Sequence, residues 1–83
     1  MRLAKSVKFR EEKFGGVLFE TRSEKVFTLN PTAAAVVREI QAGRPEHEIA
    51  SALNGRFDAG DGVIEKEVEA FLAALRQRGL MDE

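Results

Sequence analysis

The sequence predicts an α+β fold in which a three-stranded antiparallel sheet is followed by three helices. Short runs rich in β-branched and aromatic residues fill positions 7–29, a pattern typical of strands. From residue 32 onward, apolar residues recur instead at the spacing of amphipathic helices. We therefore expect a single domain over residues 1–83 with the layout of a winged helix-turn-helix.

The three strands are predicted from alternation between apolar and polar residues, at about 7–11, 16–22 and 25–29. The first run has one charged face, whereas the other two carry apolar residues on both faces. The double glycine Gly15-Gly16 between the first two runs predicts a tight turn or bulge, because glycine adopts backbone angles closed to other residues. Together the runs predict a meander of short strands.

The three helices are predicted at about 32–41, 45–54 and 63–78. Asn30 is a good N-cap and Pro31 fits the first helical turn, so the third strand should pass directly into the first helix. Loop residues precede the third helix, and Asp61 is its expected cap.

The third helix has a core face and two flanks when its residues are placed at 100° intervals. The core arc holds Ile64, Val68, Phe71 and Leu75. One flank holds Glu65, Glu69, Leu72 and Arg76. The opposite flank holds Val63, Ala70 and Ala74.

Composition narrows the class of protein. The 83 residues are 43% hydrophobic and 33% charged, which fits a folded globular chain. Because the chain has no cysteine, a disulfide framework and a thiolate metal site are excluded. The sequence contains neither a signal peptide nor an apolar run of membrane-spanning length, so we expect a cytoplasmic protein without a membrane partner.

No catalytic constellation is visible in the sequence. The one histidine, His47, lies at the start of the second helix, and no set of metal ligands with suitable spacing accompanies it. None of the serines has a base at catalytic spacing. We therefore expect a protein that is not an enzyme and needs no cofactor.

Two kinds of binding remain open. A winged helix-turn-helix protein that binds DNA places its third helix in the major groove. Here that helix carries Glu65, Glu67 and Glu69, which would face phosphates, so nucleic acid is not the expected partner. A small DNA-binding protein nevertheless remains the alternative hypothesis.

The second kind of binding uses the sheet edge. If the third strand, residues 25–29, is the outer strand, a peptide can add to its unpaired backbone groups and run along the third helix. The same edge can pair with a second copy, so a homodimer is also open. The apolar lining predicted for a groove between strand and helix is Val26, Phe27, Val68 and Leu72. Its charged rim is predicted at Lys25 and Arg76.

Several blocks of sequence together resemble a known family. The block FGGVLFETRSEKVFTLNPTAAAVVREI (Phe14–Ile40) contains the junction Leu-Asn-Pro-Thr-Ala at 29–33. A glycine turn then precedes PEHEIASAL (Pro45–Leu53), and the chain closes with FLAALRQRGLM (Phe71–Met81). In this combination the chain resembles the PqqD-like family, also called RiPP recognition elements.

The resemblance implies a domain that binds the leader of a ribosomally made precursor peptide. In that family the leader adds to the third strand beside the third helix and is presented to a modifying enzyme, often a radical S-adenosylmethionine protein. The pairing strand would be Lys25, Val26, Phe27, Thr28 and Leu29. The second wall would be Glu65, Val68, Glu69, Leu72 and Arg76. The opposite flank, with Ala70 and Ala74, stays open as an alternative wall.

Overall fold

A computed structural model describes residues 1–57, 60 and 62–82, and it contains a small antiparallel sheet followed by three helices. The predicted α+β class is thus confirmed. Along the chain the elements are β1 (Arg2–Leu3), β2 (Val7–Glu12), β3 (Gly15–Glu20), β4 (Lys25–Leu29), α1 (Pro31–Gln41), α2 (Glu46–Asn54), α3 (Val63–Gln77) and β5 (Met81–Asp82). The predicted cap Asp61 lies outside the described residues, and Gly62 occupies the N-cap position of α3.

The main sheet has the strand order β2-β3-β4, so β2 and β4 are its outer strands. A second, two-stranded ribbon joins β1 to β5 and was not expected from the sequence. Each strand of this ribbon is only two residues long, which is too short to show alternation. Arg2 and Asp82 form an ion pair across it at 3.2 Å.

Gly15 permits the close approach of β3 to the end of β4. Its φ angle is 142°, and a Cβ atom at this position would lie 2.2 Å from the carbonyl oxygen of Leu29. The turn before β3 is formed by Lys13 and Phe14, whereas Gly15 and its neighbour belong to the strand. The prediction of a turn at the double glycine is therefore wrong by two residues.

The core lies between the sheet and the helices. α1 packs on β3 and β4 with one side, and α2 and α3 pack on α1 and on each other. Among the described residues, no helix is both long enough and apolar enough to cross a lipid bilayer. The buried apolar side chains are Val7, Leu18, Leu29, Ala34, Ala35, Val36, Val37, Ile40, Ile49, Leu53, Ile64, Val68, Leu72, Leu75 and Leu80.

One carboxylate is buried with this core. Glu39 of α1 is 6% exposed and accepts a hydrogen bond from Arg44, and Arg56 lies 3.3 Å from its second oxygen. The hydrogen bond from Arg44 is the main cause that lowers the pKa of Glu39 below its ordinary value, and the charge of Arg56 adds to it. Glu39 thereby ties α1 to the segments on both sides of α2.

We predict that Gly15→Ala lowers the free energy of unfolding by about 1–3 kcal/mol, because alanine is strained at this φ and its Cβ meets backbone. Gly55→Ala is the matched control, since Gly55 has a φ of −82° and no atom near its added Cβ. Urea denaturation of both variants measures the effect. Equal stability of the two variants would contradict this account of Gly15.

We predict that the contribution of Glu39 to stability depends on pH. The folded-state pKa of Glu39 is lowered, so its contribution is present above 4.5, the ordinary value, and is lost as pH falls through the folded pKa. Glu39→Gln should therefore lower the free energy of unfolding at neutral pH by about 1.5–3 kcal/mol, with a smaller difference in acid.

The control for this pH dependence is Glu11→Gln, which removes an exposed ion pair with Arg38. Exposed pairs contribute little to stability, so we expect a small change at either pH. Denaturation at neutral and at acidic pH compares the two variants. A Glu39→Gln deficit that does not shrink in acid would contradict the assignment.

Candidate functional site: the outer edge of β4 and the groove beside α3

The hydrogen-bond pattern of β2 and β3 determines where the backbone of β4 points. Opposite residues in antiparallel strands alternate between hydrogen-bonded and non-bonded pairs. The N–H of Thr21 donates to the carbonyl of Ser6 at 2.8 Å, so this pair is hydrogen-bonded. The next pair, Val7 with Glu20, is therefore non-bonded, and the backbone groups of Glu20 face β4 instead.

The same alternation continues into β4. Every second residue of β3, beginning with Glu20, directs its N–H and C=O groups to β4, and the partners are every second residue from Lys25 to Leu29. The residues between them, Val26 and Thr28, therefore direct their N–H and C=O groups away from the sheet. β4 thus presents backbone donors and acceptors along an outer edge.

Side chains of β4 alternate between the two faces of the sheet. Leu29 is buried on the face toward the helices, Phe27 is half-buried on that face, and Lys25 is exposed at its end. Val26 and Thr28 lie on the opposite face, where Val26 is 58% exposed. The expectation that the Val26 side chain lines a groove with the third helix is therefore wrong, although its backbone reaches the edge.

A groove runs between β4 and α3 on the helix side of the sheet. From α3 and its C-cap residue Arg78, the side chains of Phe71, Ala74 and Arg78 line it, and they share one side of the helix at i, i+3 and i+7. From β4, the half-buried Phe27 forms the facing wall. We call this the β4–α3 groove. Its apolar floor consists of Leu18, Leu29, Leu75 and Leu80.

The residues of α3 predicted to form the second wall lie on its other flank, beside α2. Val68 and Leu72 are 4% and 2% exposed and belong to the core. Leu72 was expected on the edge of the core arc, and Phe71 within that arc. In the structure Leu72 is buried and Phe71 is the half-buried residue that reaches the groove.

The charged residues of that flank are joined to α2. The Asn54 side chain donates to Glu65 at 2.6 Å, and this hydrogen bond is the main cause that lowers the pKa of Glu65. Arg76 donates to Glu46 at 3.2 Å. Glu69 lines a shallow depression between α2 and α3. The residues predicted for the second wall therefore lie away from β4, because a helical wheel does not tell which neighbouring element covers which flank.

The flank that faces β4 is the one with Ala70 and Ala74, which the sequence left open. Phe71 and Arg78 were missed as site residues, and the only available signal was their seven-residue spacing on one side of the helix. The predicted rim residue Lys25 does lie at the groove, but Arg78 rather than Arg76 stands opposite it.

The end of the groove near the β3–β4 turn is basic. Arg22, Lys25 and Arg78 line it together with one carboxylate, Glu20. The Ser6 hydroxyl donates a hydrogen bond to Glu20, and this bond is the main cause that lowers the pKa of Glu20. Hydrogen bonds from the backbone N–H groups of Arg22 and Ser23 lower it further. Glu20 is therefore ionised and already hydrogen-bonded at neutral pH.

No group of three or more metal-binding side chains comes together in the part of the chain that the structure describes. His47 is exposed and lies 3.5 Å from Glu48. The arrangement that stands out chemically is thus an unpaired strand edge beside an apolar groove, which is suited to binding an extended peptide.

Comparison with known proteins gives one family and two solved structures. Residues 15–81 match the family model described as Coenzyme PQQ synthesis protein D (PqqD). Curated protein sequences give no significant match. A lasso peptide synthetase B1 complexed with the leader peptide is 25% identical, with a TM-score of 0.80 over 95% of this chain and 93% of that one.

The second structure is TbiB1 in complex with the TbiA(beta) leader peptide. It is 20% identical, with a TM-score of 0.85 over 99% of this chain and 95% of that one, and at this identity it supports the fold. The family match reaches from the start of β3 to the start of β5 and includes both walls of the groove. The chain belongs to the PqqD family.

Proposed function

We propose that this protein is a non-catalytic peptide-binding domain in the maturation of a ribosomally made peptide. The whole chain acts as one domain that takes up the leader of a precursor peptide and presents the precursor to a modifying enzyme. The observation that carries the proposal is the outward backbone of Val26 and Thr28 directly beside the β4–α3 groove. The two solved structures similar to this chain are complexes with leader peptides.

Binding by strand addition combines main-chain hydrogen bonds with burial of alternate side chains. The backbone groups of Val26 and Thr28 supply the hydrogen bonds, whereas Phe27, Phe71 and Ala74 offer apolar surface. A disordered leader loses chain entropy when it becomes a strand, which offsets part of this gain. We therefore expect micromolar affinity, about −8 kcal/mol.

The partner that receives the precursor is proposed to be a modifying enzyme. The family resemblance favours a radical S-adenosylmethionine protein. The similar structures instead include a lasso peptide synthetase B1 protein, so an enzyme of lasso peptide synthesis is the other partner to test. Co-purification of the tagged protein with each enzyme encoded beside it distinguishes the two.

Two other uses of the same surfaces fit less well. Duplex DNA would meet the exposed Glu65, Glu67 and Glu69 of α3, and each carboxylate would repel phosphates. A homodimer formed through β4 would pair the free edges of two copies. It would leave the apolar groove beside that edge unfilled. Both uses are outcomes of the experiment below.

An NMR titration of isotope-labelled protein with the leader of a precursor encoded nearby tests the proposal. We expect chemical-shift changes in residues 25–29 and in Phe71, Ala74 and Arg78, since these line the proposed site. Glu65 and Glu69, on the α2 flank, should change little and serve as internal controls. Changes with duplex DNA but not with leaders, or a concentration-dependent dimer that leaders do not dissociate, would contradict peptide binding at β4.

We predict that Thr28→Pro weakens leader binding at least tenfold while the protein stays folded. Proline removes the N–H that points to the outer edge, and edge strands tolerate proline there. Thr28→Val is the matched control, because it keeps the N–H and changes the side chain, and it should bind like the wild type. Isothermal titration calorimetry measures affinity, and circular dichroism measures the melting temperature.

Wild-type affinity in Thr28→Pro would count against strand addition at β4. Equal loss in Thr28→Pro and Thr28→Val would indicate that the hydroxyl of Thr28, and not its backbone, makes the contact. Both results require melting temperatures close to that of the wild type.

A further inference from the structure

We infer that the β4–α3 groove selects a leader with an acidic side chain at the end next to the β3–β4 turn, and that Lys25 and Arg78 recognise this acid. The inference rests on the proposed function, because it concerns the same groove. The end in question is lined by three cationic side chains and one carboxylate. The cations are Arg22, Lys25 and Arg78, and the carboxylate is Glu20.

The carboxylate of Glu20 is already engaged by Ser6 and by the β3–β4 turn. It accepts hydrogen bonds from the Ser6 hydroxyl and from the backbone N–H groups of Arg22 and Ser23, the last at 3.1 Å. By contrast, no salt bridge among the described residues includes Lys25 or Arg78. Among the described residues, Lys25 and Arg78 therefore lie at the groove outside any ion pair, and so does Arg22, whose backbone N–H is one of the donors to Glu20.

Arg78 is held in place over the groove. Its guanidinium carbon lies 5.4 Å from the centroid of the Phe27 ring, a cation–π arrangement. Its backbone is fixed as well, because its N–H donates to the carbonyl of Ala74 at 3.1 Å at the end of α3. A guanidinium held in this way offers parallel N–H donors to a carboxylate at a lower entropic cost than a free side chain would.

The spacing along β4 gives the form of the recognised sequence. Lys25 and Phe27 lie on the same face of the strand, roughly 7 Å apart. A peptide strand paired with β4 has the same spacing, so its side chain beside Lys25 and Arg78 is two positions from the one beside Phe27, Phe71 and Ala74. The inferred leader therefore carries an acidic residue and an apolar residue at i and i+2.

The depression that adjoins the groove at Phe71, between α3 and the start of α1, differs in charge. Among the described residues, Glu67 lines it with Asn30 and Thr32, and no cationic side chain does. An acidic leader residue is thus attracted to the basic end of the groove and repelled from the adjoining depression that holds Glu67. This asymmetry sets the register in which the peptide lies along β4.

A peptide display experiment tests the inference without knowledge of the natural leader. The probe is a library of randomised 12-residue peptides, selected on wild-type protein, on Arg78→Glu and on Thr28→Pro. We expect wild-type binders to be enriched in Asp or Glu two positions from an apolar residue. Arg78→Glu should instead enrich Lys or Arg at that position, and Thr28→Pro should enrich no such peptide.

Synthetic peptides from the selection then give affinities by calorimetry. Replacing the acidic residue by glutamine, or Arg78 by glutamine, should each weaken binding about tenfold, and the two losses together should not add. If Arg78 contacts the peptide, a lysine-bearing peptide should bind Arg78→Glu again. If Arg78 acts only through its stacking on Phe27, that peptide should not bind. Lys66→Glu is the matched control, because Lys66 is an exposed cation of α3 that lines neither the groove nor its basic end.

The outcomes separate this inference from the proposed function. Peptides that need the N–H of Thr28 but show no acidic preference would overturn the inference and leave strand addition intact. Peptides that bind equally well to Thr28→Pro, or a library from which nothing is enriched, would overturn strand addition and the inference with it. An acidic preference that Arg78→Glu does not reverse would also overturn the role of Arg78.

Discussion

The direct connection between β4 and α1 is the constraint on which the rest of the structure depends. The Asn30 side chain accepts a hydrogen bond from the N–H of Ala33 at 2.8 Å, and Pro31 occupies the first helical position. Because no loop intervenes, α1 lies against the sheet that the chain has just left, and it packs mainly on β3. α3 packs on α1 and therefore stands beside β4 without covering its outer backbone. The free edge and the groove both follow from this one junction.

An uncovered strand edge is a risk in most folds, because it invites pairing with other chains. Here the edge is short, and most of the buried side chains belong to the helices, although Leu29 of β4 is part of the core as well. The protein side of the groove is therefore already formed before a peptide arrives, and the loss of chain entropy falls mainly on the peptide. Such a division favours peptide binding that is specific but reversible.

The sequence predicted the parts of this arrangement that depend on local signals. Alternation located the strand at 25–29, and the Asn30–Pro31 pair located the start of α1, because capping and φ restriction act within a few residues. It did not predict which flank of α3 faces β4. The flank that faces β4 depends on where α2 lies, and α2 contacts the other flank through the hydrogen bond from Asn54 to Glu65. No local sequence signal indicates this contact. The ribbon of β1 and β5 was missed for the same reason, since its two strands are far apart in sequence.

The charged side chains on the two flanks of α3 have different partners. On the α2 flank, Glu65 and Arg76 each have a partner on α2, at 2.6 and 3.2 Å, so these charges contribute to packing between helices. On the β4 flank, Phe71 and Ala74 are apolar, and the charge of Arg78 rests on an aromatic ring rather than on a carboxylate. A cation placed on a ring keeps its hydrogen-bond donors available. The chemistry of α3 therefore separates a flank that maintains the fold from a flank that is left able to bind.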